Sequence, residues 1–186
     1  MTNIPSHLQD AKDLLTQDGF ATSNIWYHGT SSALLTSILS EGLKCSGDKA
    51  MKQAMKKTMA TIGNTYTESI EPVFLTQSRE LAYYWGEQAV LRRKRFAEEE
   101  QPVVLAARLP EEINKKVRPD VGAASLLLMS EGKQYLEFLK AVAERSGVQL
   151  PEVDLMNADR MAYLTHLGMA YLDQDIPVNC LSLVEK

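Results

Sequence analysis

Two cysteines and three histidines are all that this chain of 186 residues has of the thiol and imidazole side chains that staple small folds or bind transition metals. Cys45 and Cys180 have no metal-type spacing, and a pair so far apart reads as two reduced thiols rather than a disulfide framework. His7, His28 and His166 are spaced too widely to suggest a metal site. No stretch approaches the ~20 apolar residues of a membrane span, and the opening MTNIPSHLQDAKDLL has no basic region followed by an apolar run. These absences point to the cytoplasm, or to delivery into a host cell by a leaderless route, with no membrane partner. A surplus of positive charge is missing too. The 24 acidic residues outnumber the 20 basic ones, which argues against a generic nucleic-acid binder, because a phosphate backbone is normally met by clustered positive charge. Also absent are a G-x-S-x-G elbow, an H-E-x-x-H helix, a phosphate loop and a dinucleotide fingerprint. Internal repeats and long low-complexity linkers are lacking as well.

What is present suits one α+β domain over 1–186. With 45% hydrophobic residues the chain can bury a sizeable core. Ser6 and Gln9 form a capping-box pattern, and Leu8, Ala11, Leu14 and Leu15 recur at helical spacing, predicting a helix over 6–18 closed by Gly19 within an N-terminal segment 1–22. NIWYHGT reads as a strand stopped by Gly29. Ser31 or Ser32 caps a helix whose Leu34, Leu35, Ile38 and Leu39 make one face before Gly42. Residues 44–71, with lysines at 44, 49, 52, 56 and 57, read as a partly helical crossing segment ending at Pro72. PVFLT is a second strand, Ser78 caps the next helix, and QPVVLAARLP is a third strand. Further helices are expected over 123–146, within a helical insertion 123–150, and over 157–167. MAYLDQDIPVNCLSLV reads as one long strand, or as two joined at Pro177.

His28 is the residue that raises a chemical question. It follows Trp26 and Tyr27 at a strand end and precedes Gly29, which lets a ligand approach the backbone, with Thr30, Ser31 and Ser32 supplying hydroxyls. A hydrogen-bonded core histidine explains the same position, and both readings stand on the local sequence alone. Phe74, Tyr84 and Trp85 are equally explained as ordinary core. The lysine run and the arginines at 92, 93 and 95 read first as solvated faces, with the glutamates at 98–100 offsetting the arginines.

Three blocks, YHGTSSALLTSILSEGL, VFLTQSRELAYYW and AYLDQDIPVNCLSL, together resemble the ADP-ribosyltransferase fold. The likeness is to its histidine-type branch, which includes the poly(ADP-ribose) polymerase catalytic domains and related bacterial enzymes. The matching residues are His28, Gly29 and Thr30 and the helix end ILSEGL. The resemblance implies a split, mainly antiparallel sheet with flanking helices, and NAD as substrate. It implies that His28 bonds an adenine-side ribose hydroxyl, that the Gly29 backbone pairs with the nicotinamide carboxamide, and that Phe74 and Tyr84 wall the nicotinamide ring. Phe74 stands where the family usually has tyrosine, and Leu81 where some members have an amide-binding serine. The family's transferring members carry a carboxylate or glutamine near the start of a late strand. That place falls near Met169 or Ala170, neither of which can do the chemistry. Asp173 or Asp175 can substitute if the register shifts, with Asp173 better placed; both are also explained as loop residues before Pro177. The implied function is ADP-ribosyl transfer from NAD to a protein or nucleic-acid acceptor, His28 and Asp173 being the candidate catalytic residues. A binding module that keeps the fold without catalysis is the alternative, and RNA 2′-phosphotransferase chemistry ranks last. Oligomeric state is left open.

Overall fold

The computed structural model of the chain describes residues 15–16, 19–20, 23–67, 70–94, 99–119 and 169–185. In chain order the elements are β1 (Leu15–Thr16), β2 (Gly19–Phe20), β3 (Ile25–Ser31), α1 (Ser32–Glu41), α2 (Lys49–Thr61), β4 (Val73–Thr76), α3 (Arg79–Arg93), β5 (Pro102–Arg108), α4 (Glu111–Asn114), β6 (Arg118–Pro119), β7 (Met169–Leu172), a 3₁₀ turn (Val178–Cys180) and β8 (Leu181–Leu183). Six strands form one antiparallel sheet in the order β6-β7-β4-β3-β5-β8. The architecture is α+β.

Local chemistry explains most boundaries. Ser31 is the cap of α1, its hydroxyl accepting from the Ala33 amide at 3.2 Å. Gly42 ends that helix at φ 87, a conformation costly for other residues. The Ser78 hydroxyl accepts from the Leu81 amide at 2.9 Å and starts α3. The crossing segment does contain a helix, α2, started by Asp48, whose carboxylate accepts from the Met51 amide at 3.0 Å.

The core lies on one face of the sheet. Trp26, Val73, Leu75, Leu105, Ala107, Ala170 and Leu172 point there and meet Ile38 of α1 together with Leu43, Ile176 and Cys180. Leu39 stays outside this cluster and is exposed. The opposite face of β3 and β5 carries α3. Small residues allow that contact, since a Cβ on Gly29 would fall 1.7 Å from the Ala82 carbonyl oxygen and one on Gly86 would press on Thr30 and Pro102.

One expectation needs correction. The helix over 6–18 does not reach its end as read: Leu15 pairs with Phe20 and Thr16 with Gly19 in a short antiparallel ribbon. Glycine is a poor helix residue and phenylalanine a good strand one, so Gly19 serves the ribbon rather than a cap. Of the two readings of the C-terminal segment, the one with two strands on either side of Pro177 holds. β7 pairs with β4 and β8 with β5, so residues 173–180 carry the chain from one flank of the sheet to the other. The helices expected over 123–146 and 157–167, and the rest of the N-terminal segment, lie outside the described residues. No described helix is long and apolar enough to cross a membrane.

Candidate functional site

The two edges of β3 are paired unequally. Toward β5 all seven residues from Ile25 to Ser31 are in register; toward β4 the only pair among the described residues is Tyr27 with Thr76. Which backbone groups face the open edge follows from the alternation of an antiparallel ladder, in which successive residues turn their N–H and C=O to opposite sides. The Val104 carbonyl accepts from Val184 beyond β8 at 2.9 Å, so Val104 turns away from β3 and Leu105 turns toward it. Leu105 is paired with His28, and accordingly Asn24, His28 and Ser32 spend their backbone groups on the β5 side; the Leu109 to Asn24 and Ser32 to Gln101 bonds, both 2.8 Å, agree. Gly29 therefore turns its N–H and C=O toward β4.

A continuing ladder would offer Gly29 the carbonyl of Phe74. That carbonyl is instead bonded to Nδ1 of His28 at 2.8 Å. A carbonyl can only accept, so Nδ1 carries the proton. Burial of the ring pushes the His28 pKa below its ordinary value, outweighing the opposing pull of the Phe74 carbonyl. The imidazole is neutral at pH 7, which leaves Nε2 as an acceptor. The result is an opening between β3 and β4 with an N–H and a C=O from Gly29 on its β3 edge and a hydrogen-bond acceptor from His28.

Two aromatic side chains flank this opening. Phe74 stands level with Gly29 on the α3 face and is 50% exposed. The second is set by the phase of α3, which turns about 100° per residue. Ala82 and Gly86 face Gly29. Arg79, three residues before Ala82, reaches the Glu185 carbonyl on the β8 flank. Trp85, three residues after Ala82, lies on the other flank, above β4, and is 43% exposed. Tyr84 falls on the outward side of the helix and touches Trp85 edge-on, with ring centroids 5.3 Å apart. By this phase Trp85, one residue on from the Tyr84 that the resemblance points to, is the ring on the β4 side. The signal was available: small residues four apart, Ala82 and Gly86, mark the face that meets the sheet and fix the phase of the rest.

The hydroxyls after Gly29 are spent locally. Thr30 is buried, Ser31 caps α1 and donates to Glu100, and Ser32 accepts from the Gln101 amide at 3.0 Å. The late carboxylates follow the second of their two readings, as loop residues before Pro177. Thr76 pairs with both Tyr27 and Met169, so Ala170 is level with His28, facing the core. β7 ends at Leu172, and Asp173 lies in the bend beyond, three residues or about 10 Å along the strand direction from that level. Asp175 accepts from the Cys45 amide at 2.9 Å and pairs with Lys44 at 3.1 Å. These contacts, the Cys45 amide first, hold its carboxyl below the usual range.

The lysine run is less free than a solvated face. Lys44 pairs with Asp175, Lys49 with Glu41 at 3.4 Å and Lys52, which is buried, with Glu71 at 3.9 Å. Among the described residues no group of three or more His, Cys, Asp or Glu could hold a metal ion. Comparison with family models, with curated proteins and with solved structures gives no match. The site is argued from its own geometry.

Proposed function

We propose that the chain binds NAD in the opening between β3 and β4 and transfers its ADP-ribosyl group to a macromolecular acceptor. The observation that supports this reading is the edge of β3 left unpaired after Tyr27, where Gly29 can give a carboxamide both a donor and an acceptor. Phe74 and Trp85 offer faces for a planar cationic ring. The neutral His28 offers Nε2 to a ribose hydroxyl. A split of the sheet at this seam is also what the ADP-ribosyltransferase resemblance leads one to expect. In the reaction the acceptor's nucleophilic atom bonds to C1′ of the nicotinamide ribose while the glycosidic C–N bond breaks. Its electron pair returns to the pyridinium nitrogen, and the acceptor's proton passes to a carboxylate. Asp173 is the chain's candidate for that carboxylate, and reaching the ribose requires the bend after β7 to move inward.

Binding without transfer is the second reading, favoured by Met169 and Ala170 at the level where a carboxylate would serve. One experiment separates the two. Calorimetric titration with NAD is expected to give binding that His28→Ala weakens severely; equal affinity in both removes His28 from the site. Release of labelled nicotinamide is then followed with cell lysate as acceptor source. Transfer is supported if Asp173→Asn keeps NAD binding and lowers release by roughly 10²-fold, the scale for one lost stabilising group. Binding with no release by the native chain leaves the module.

A further inference from the structure

We propose that Arg93 is a positioning residue for the opening between β3 and β4, holding the end of β3 so that Gly29 keeps its place. The inference takes its ligand from the NAD reading, but its mechanism from β3 alone. Beyond Tyr27 the backbone of the strand is paired on the β5 edge only. A strand paired on one side can rock about that ladder unless its end is tied, and Ser31, two residues after Gly29, is tied. Its hydroxyl donates to Glu100 Oε2 at 2.5 Å, and Nε of Arg93 donates to the same oxygen at 2.7 Å. Nη1 of Arg93 donates to Asp48, the cap of α2. The Arg93 and Glu100 side chains are 10% and 7% exposed, so water competes little for these bonds. Arg93 draws on both sides of a rigid fork, which a lysine ammonium cannot reproduce.

The cluster also fixes the strand to the helix. Ser31 points to the same face of the sheet as Gly29; α3 meets Gly29 directly through Ala82 and holds Ser31 through Glu100, which lies beyond the helix end and is bonded by Arg93. One direct contact and one relayed through Glu100, at neighbouring outward positions of the strand, define its height and its tilt. Neither the motif around His28 nor the helix phase accounts for this second contact.

Arg93→Ala would leave two buried carboxylates uncompensated and is expected to unfold the chain. The test therefore uses Arg93→Lys, with Glu100→Gln and Asp48→Asn as further routes and Glu41→Gln, which breaks only the exposed pair with Lys49, as the control. Amide hydrogen exchange is read at Thr30 and at Trp26, which both pair with β5, and NAD affinity is read by calorimetry. In Arg93→Lys the Thr30 amide is expected to exchange roughly tenfold faster with Trp26 unchanged, and NAD affinity to fall about tenfold, as small misplacements of a site do. Glu100→Gln and Asp48→Asn are expected to move both in the same direction by less, and Glu41→Gln to leave both near native values. Equal acceleration at Thr30 and Trp26 would mean general loosening and would overturn the proposal, as would unchanged exchange at Thr30. If the native chain does not bind NAD, the exchange pattern still decides the role of Arg93, and only the ligand assignment falls.

Discussion

The closed and open edges of β3 use one run of seven residues for different ends. On the β5 edge every alternate residue has its backbone groups in a ladder, and its core-facing side chains are packed to full burial, Leu105 and Ala107 among them. On the β4 edge the ladder stops after one pair, and a side chain, His28, takes the carbonyl that the ladder would have used. A polar backbone left unpaired inside a protein is costly unless something meets it. The closed edge therefore carries stability, and the open edge keeps the backbone groups that the proposed binding would use.

Substitutions on the two edges should separate these roles. The largest effect is expected where the edges share a support. Gly29→Ala drives a Cβ to 1.7 Å from the Ala82 carbonyl oxygen and 2.7 Å from the Gly86 nitrogen, so α3 must lift, and chemical denaturation should show a loss above the ~1–3 kcal/mol usual for overpacking. A stability near native would mean that α3 rests on β3 less closely than described. Next comes the closed edge. Leu105→Ala should cost about 2–5 kcal/mol by the same measurement, yet leave NAD affinity of the folded protein nearly unchanged; a parallel loss of affinity would join the two roles.

His28 gives a smaller effect with a definite sign. Its pKa is lower in the folded chain than the ordinary 6.5, so the unfolded chain takes up the proton first. Stability is full above pH 6.5 and falls as pH drops toward the folded value, and His28→Gln should remove that part of the slope in denaturation curves between pH 5 and 8. NAD affinity should weaken at lower pH than this, as pH falls through the folded value, since protonation of the folded chain ends the acceptor role of Nε2. The smallest changes in stability belong to the open edge. Phe74→Ala and Trp85→Ala should each shift folding by no more than about 0.5 kcal/mol while weakening ligand by ~0.5–1.5 kcal/mol, and Phe74→Tyr should be tolerated. A melting temperature collapsing in Trp85→Ala would assign that ring to the core.

Much of this was legible in the sequence because it is local. Strand positions, the caps Ser31, Asp48 and Ser78 and the stop at Gly42 are decided by neighbours a few residues away. The interest of His28 was also legible, from its place before Gly29. What escaped depends on distant partners. Arg93 reads as one of several exposed arginines until Asp48, forty-five residues away, and Glu100 are brought to it. Asp173 seemed to continue a strand whose length is set by its pairing with Val73–Thr76, and that pairing ends at Leu172. Tyr84 and Trp85 are indistinguishable by composition; only the contact of Ala82 and Gly86 with the strand tells them apart.

The placing of β7 and β8 has a consequence for how the chain acquires its structure. Both flanks of the sheet, β7 against β4 and β8 against β5, come from Met169–Leu183. During synthesis β3, β4 and β5 emerge long before either outer strand, and must wait with edges bare. Contacts of such long sequence separation form slowly, and unpaired edges invite association with other chains in the interval. β7 and β8 thus act as a late seal on both sides of the β4-β3-β5 core at once, and the nascent chain is most exposed to misassembly just before residues 169–183 emerge.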